Sequence, residues 1–258
     1  MPLIDLFIFI FGLMIGSFLN VLIYRLPENR NWISERSFCR TCGEKISIFR
    51  NIPFLSFLIQ KGKCHYCGAK ISFQYPFIEL LVGLSAVLLF PKYPTLDNLI
   101  NYFFLISILS CFIVHFVIDL RHHILPDGIN LYLAILFTCY GVIHFPYLHC
   151  ILGGFIGFFI PYLVALIFYK LKGVEGLGGG DIKLFGALGI YLGPQGIMGN
   201  IFLSCFFGSI VGVSLIILKK LDKQKPLAFG PFILITAFFQ IFFPDLVQKF
   251  SKIVGLAF

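Results

Sequence analysis

Four cysteines and two aspartates are the residues of this 258-residue chain whose types and spacing point most directly to chemistry. Cys39, Cys42, Cys64 and Cys67 form two CxxC pairs with 21 residues between them. Two thiols on each of two short turns match a tetrahedral Zn–S4 site. The pairs belong to an internal repeat, CRTCGEKIS at Cys39–Ser47 and CHYCGAKIS at Cys64–Ser72, with a period of 25 residues. Gly43 and Gly68 close each pair and permit the positive φ that such turns use. Four thiolates around Zn²⁺ leave a net charge of about −2, which Lys45 and Lys70 are placed to moderate. A redox couple is the alternative, but it calls for one CxxC on a thioredoxin-like fold. Disulfides are disfavoured in a reducing cytoplasm.

The acids are scarce, seven Asp and five Glu, and an acid beside an apolar run needs a reason. Asp119 ends one such run in Ile118-Asp119-Leu120-Arg121, and Asp181 follows Gly178-Gly179-Gly180 and opens another. Two carboxylates on different helices at one depth are what an aspartic protease requires: one polarises the scissile carbonyl, the other takes a proton from water. Bland readings compete. Asp181 fits a helix N-cap after a glycine turn, and Asp119 fits an interfacial partner of Arg121. Asp127, in Leu125-Pro126-Asp127-Gly128, reads as the N-cap of the following helix, and Glu79 is open between polar packing and a site neighbour. His122 and His123 are adjacent on a short loop and poorly placed to share one ion.

The elements that must position these groups are membrane helices. The chain is 59% hydrophobic and 12% charged, with 33 Phe, whereas soluble domains are about 25% charged. That excludes an ordinary soluble enzyme, a disordered chain and a small disulfide-stapled fold. Apolar runs fall at 3–24, 77–90, 99–118, 129–145, 151–169, 182–192, 197–218 and 227–243. The fold class expected is an all-α polytopic membrane protein of about eight transmembrane helices with a small cytoplasmic zinc-binding loop domain. Its divisions are 1–24, a first transmembrane helix; 25–76, the zinc-binding loop; and 77–258, a transmembrane domain. Nine of the twenty basic residues lie between Arg25 and Gln74, against three acids. With that loop inside, eight crossings put seventeen of the twenty at the cytoplasmic face and both termini outside. Fusing the sixth and seventh runs would move Lys219, Lys220, Lys223 and Lys225 outside. The net charge of +8 is therefore a topology signal, and no nucleic-acid partner is expected.

Gly16-Ser17-Phe18-Leu19-Asn20-Val21, Tyr24-Arg25-Leu26-Pro27, the CxxC pairs around Asn51-Ile52-Pro53, and Tyr75-Pro76 with Glu79 form an ordered series. Asp119-Leu120-Arg121, Leu125-Pro126-Asp127 and Gly178-Gly179-Gly180-Asp181-Ile182-Lys183 complete it. In this the chain resembles the bacterial type IV prepilin peptidases, membrane aspartic proteases of the GxGD kind, over nearly its whole length. The resemblance implies cleavage of the leader of prepilins and pseudopilins at the cytoplasmic face of the inner membrane. It also implies N-methylation of the new terminus from S-adenosylmethionine, with Asp119 and Asp181 as the catalytic pair. The four cysteines become zinc ligands, Gly62 and Lys63 become positions linked to methyl transfer, and the partners are prepilin substrates and membrane lipids. The alternative weighed is a proton- or ion-coupled transporter, with the two aspartates as carriers; but transporter acids lie near the midplane, between repeated halves.

Overall fold

The computed structural model describes residues 2–33, 35–174, 176–218 and 227–254. Among them there is no β-strand, and the helices are α1 (Pro2–Arg25), α2 (Leu55–Ile59), α3 (Gln74–Leu89), α4 (Leu96–His122), α5 (Asp127–His144), α6 (Tyr147–Lys172), α7 (Gly179–Ile217), α8 (Gly230–Phe242) and α9 (Pro244–Val254). Five of these, α1, α4, α5, α6 and α7, are long and apolar enough to cross a membrane; α3 and α8 are shorter apolar helices. The basic segment Lys219–Lys225 lies outside the described residues.

The chain packs as two compact units, Met1–Val114 and His115–Phe258. In the first, α1 and α3 cross where side chains are smallest. A β-carbon at Gly12 would meet Gly83 Cα at 2.7 Å, and one at Gly16 would meet Glu79 Cα at 2.6 Å. Gly12 and Gly16 are spaced as GxxxG, which lets helix backbones touch where lipid removes any hydrophobic drive to associate. Asn20 then clamps the pair, its amide donating to Gly16 O (3.2 Å) and Tyr75 O (3.1 Å). Arg25, buried in the last turn of α1, donates to the carbonyls of Asn31, Glu35 and Arg36 and so folds the loop back onto the helix end.

In the second unit α7 is not one rod. Its 39 residues would run to roughly 58 Å at about 1.5 Å per residue, near twice a bilayer core of about 30 Å. Gly193 breaks it with φ 69° and ψ −178°, and Pro194 follows. A β-carbon at Gly157 of α6 would meet both Phe185 O before the break and, at 3.0 Å, Ile197 Cγ1 after it. The chain therefore doubles back at Gly193, and the sixth and seventh apolar runs are separate arms. Gly153 packs directly on Gly189 and Gly193, and Asn200 in the second arm donates to Gln240 Oε1 of α8 (2.8 Å).

Candidate functional site

Asp119 stands in the last turn of α4 and Asp181 in the first turn of α7. Both are buried, 5% and 8% exposed, and they lie close enough for their charges to act on one another. What brings them together is small residues around Leu125. A β-carbon at Gly180 would fall 2.9 Å from Leu125 Cβ. One at Gly230 would fall 2.7 Å from Asp119 Oδ2 and 3.2 Å from Leu125 Cδ2. Any side chain at either glycine would push Leu125 or Asp119 aside. Asn130 Nδ2 donates to Gly180 O (3.2 Å), fixing the carbonyl before Asp181, and fully buried His115 lies one turn before Asp119 and beside Asn130.

The capping expectations change in detail. The N-cap of α7 is Gly178, and Asp181, three residues on, turns back so that its carboxylate accepts the Gly178 N–H. This is the reciprocal half of a capping box. It leaves Asp181 Oδ1 buried without a hydrogen-bond partner among the described residues, as is Asp119 Oδ2. Two carboxylates, each keeping one buried oxygen uncommitted, can grip a water or a polar substrate atom between them. Asp127 is not a cap: Pro126 occupies that position, and Asp127, first in α5, instead pairs with Lys183. Gly230 and Asn130 are site neighbours that sequence reading missed. Asn130 was findable as an amide inside an apolar run, whereas Gly230-Pro231 signals only a helix start.

The four cysteines converge in the first unit. Their sulfurs all lie within 4.8 Å of one another, with Cys39 and Cys67 Sγ 3.8 Å apart. Tetrahedral bonds of about 2.3 Å to zinc would place sulfurs roughly 3.8 Å apart. The sequence repeat is a structural repeat. Cys39 N–H donates to Glu44 O and Gly43 N–H to Cys39 O, and 25 residues on Cys64 N–H donates to Ala69 O and Gly68 N–H to Cys64 O. Gly43 and Gly68 take φ of 73° and 71° with open space where a side chain would go, so conformation and not room selects glycine. The Cys42 N–H, with help from Thr41, draws the Cys39 thiol down to about 6. Cys67 accepts the Ala69 N–H, which favours its thiolate, yet burial and the three facing sulfurs push it up to about 11. An easily formed thiolate at Cys39 facing a reluctant thiol at Cys67 is a pair that a cation would settle. Gly62, at φ 67°, packs on the Phe57 ring and with Lys63 forms the base of the second turn.

The first unit holds a four-cysteine cluster and the second a buried pair of aspartates at the ends of apolar helices, which together describe a polytopic membrane protein with two polar centres. Residues 10–93 match the Bacterial Peptidase A24 N-terminal domain and residues 106–213 the Type IV leader peptidase family. Two relatives, from Aeromonas salmonicida and Xanthomonas campestris, are each 34% identical, over 94% and 95% of this chain and 91% and 93% of their own lengths. A third, from Klebsiella pneumoniae, is 38% identical over 74% of this chain and 86% of its own. Each is named a prepilin leader peptidase/N-methyltransferase. No solved structure matches. The chain belongs to the type IV prepilin leader peptidase family.

Proposed function

We propose that this chain cleaves the leader peptide of type IV prepilins and pseudopilins and N-methylates the residue thereby exposed. The observation that carries the peptidase half is the juxtaposition of Asp119 and Asp181, each with one uncommitted buried oxygen. Asp119 and Asp181 share the acid–base work: the protonated carboxyl hydrogen-bonds the scissile carbonyl while the carboxylate takes a proton from the attacking water. Burial of both groups excludes bulk water, so each proton stays within the pair.

Cys39, Cys42, Cys64 and Cys67 hold a structural zinc ion that fixes the loop 25–76, which at about 50 residues is too small to build its own core. S-adenosylmethionine is the methyl donor, and Gly62 and Lys63 shape the methyl-transfer region by holding the second turn. We count eight crossings, made of the five long apolar helices with α7 taken as two arms, plus the shorter α3 and α8. The protein sits in the bacterial inner membrane, lipid around its helices, with the basic loop and the aspartates at the cytoplasmic face and both termini outside. The transporter alternative finds no support among the relatives. The direct test is incubation of purified protein with a prepilin-like peptide in detergent: cleavage before the apolar segment supports the reading, and an intact peptide overturns it.

A further inference from the structure

Between α1, α3 and the metal-binding turns lies a cavity of about 410 Å³ that the peptidase site does not use. That volume is within the range of small-ligand sites, about 300–1,000 Å³. Its walls are mixed. Arg40 stacks 3.6 Å over the Tyr24 ring, and Phe54 and Phe57 add apolar surface. Two polar side chains on the wall are buried to nine-tenths or more: Ser56, whose Oγ has no partner among the described residues, and Glu79. Glu79 Oε2 accepts the Phe54 N–H at 2.7 Å, and the Ser17 hydroxyl bonds the same carboxylate. Phe54 itself is strained, at φ 61° and ψ −50°, the centre of a γ-turn closed by Leu55 N–H on Pro53 O. Such turns are rare and need an external hold.

A buried carboxylate facing a ligand-sized cavity with aromatic walls is an unusual thing to place beside two touching helices. If its purpose were only to brace Phe54, a neutral acceptor would serve at a lower desolvation cost. We infer that this cavity is the methyl-transfer site, taking the adenosyl sulfonium donor, and that Glu79 is the base that accepts the proton of the substrate's new N-terminal ammonium. The inference rests on the methyltransferase reading above and deepens it. The step balances: Glu79 takes one proton from the ammonium; the freed nitrogen lone pair forms the N–C bond to the methyl group. The C–S bond breaks with its electron pair remaining on sulfur, leaving a neutral thioether. Gly62 and Lys63 do not line the cavity; Gly62 positions its wall through Phe57 and Ile71, and Lys63 through Gln60 and Lys70.

The test uses zinc-loaded full-length protein in detergent, S-adenosylhomocysteine as binding probe by calorimetry, and a peptide supplied already cleaved as methyl acceptor. Glu79→Gln keeps an acceptor for Phe54 N–H but no base, so methylation at pH 7 should fall about 100-fold or more. Zinc content and prepilin cleavage should stay near wild type. Raising the pH past the amine's own value of about 7.7–8.0 should restore much of the lost rate, because solvent then deprotonates the nucleophile. Ser56→Leu fills the cavity and should weaken the probe at least about 10-fold, with cleavage retained. Wild-type methylation by Glu79→Gln, or unchanged probe binding by Ser56→Leu, overturns the inference. If the wild-type chain transfers no methyl group from S-adenosylmethionine at all, it is the underlying reading that fails.

Discussion

Lys183 Nζ donates to Asp127 Oδ1 across 2.7 Å, tying the first turn of α5 to the start of α7 two residues after Asp181. The two side chains are 71% (Asp127) and 50% (Lys183) exposed, and pairs so exposed contribute about 0–1 kcal/mol. Asp127 is thus a third carboxylate near the buried pair, but one already partnered and open to solvent. Asp127→Asn is expected to keep most cleavage activity and to lower the melting temperature by no more than about 2–4 °C. Loss of cleavage here together with full cleavage by Asp119→Asn would move the first catalytic carboxylate eight residues along the chain.

Asp119→Asn and Asp181→Asn should each abolish leader cleavage, since Asn keeps the shape and hydrogen bonding of the side chain but neither takes nor gives the proton. The double variant should be no worse than either single one, because groups acting as one unit are not additive. Asn at position 181 still accepts the Gly178 N–H, so helix α7 should start where it does now. Methylation of a peptide supplied already cleaved should persist in both, and circular dichroism should match the wild type. Appreciable cleavage by either single variant sinks the paired assignment.

The four-cysteine cluster predicts a metal that acid removes. Zinc competes with protons for thiolates, so lowering the pH must release it, and atomic absorption should track about one zinc per chain lost. In the metal-free loop the sign is set by Cys39, held at about 6 against a usual 9.0. Its charged form favours the folded turn fully above pH 9.0, and that contribution disappears as the pH falls through 6. Cys39→Ser with Cys42→Ser should abolish zinc binding and lower methylation more than cleavage. A zinc-free wild-type protein would remove the ligand assignment.

Topology is tested by fusing a reporter that works only outside the cytoplasm. Fusion after Lys92, between α3 and α4, should be active; fusions after Lys63 and after Lys172, at the end of α6, should be silent. Lys223 and Phe258 are the complementary positions and lie outside the described residues; silence at the first and activity at the second are expected. Activity at Lys172 would invert the α5–α6 pair and refute eight crossings.

Much of this was readable in the chain because the costs are local. Charge in an apolar run is expensive wherever the run packs, so Asp119 and Asp181 stand out unaided. A CxxC repeat with glycine at its end specifies its own turn, and the two copies fold alike hydrogen bond for hydrogen bond. Long-range adjacency was not readable. That Gly230 faces Asp119, or that Leu125 touches both Gly180 and Gly230, depends on how α4, α7 and α8 approach, and no single segment encodes it. Gly16 and Ser17 illustrate the middle case. Their place in a conspicuous stretch is visible, but the reason for it, a backbone crossing at Glu79, emerges only with α3 alongside.

The hairpin of α7 makes the sharpest claim about packing. Gly153 lies against Gly189 O, with Gly193 Cα 2.7 Å from where a β-carbon would stand. The three nearest obstructing atoms are all backbone, which cannot rotate away as a side-chain tip would. Gly153→Val should therefore destabilise the protein at or beyond the about 1–3 kcal/mol typical of overpacking. Cleavage should fall as well, because the first arm of α7 carries Asp181 at its start. Gly128 in the first turn of α5 supplies the contrast: nothing lies within 4 Å of its β-carbon position and its φ is not positive. Gly128→Ala should leave melting unchanged or raise stability by about 0.4–1 kcal/mol, through a less flexible unfolded chain. Thermal melts of the two variants in the same detergent decide the matter. Equal melting temperatures for Gly153→Val and wild type would mean that α6 and the α7 hairpin do not pack at backbone contact.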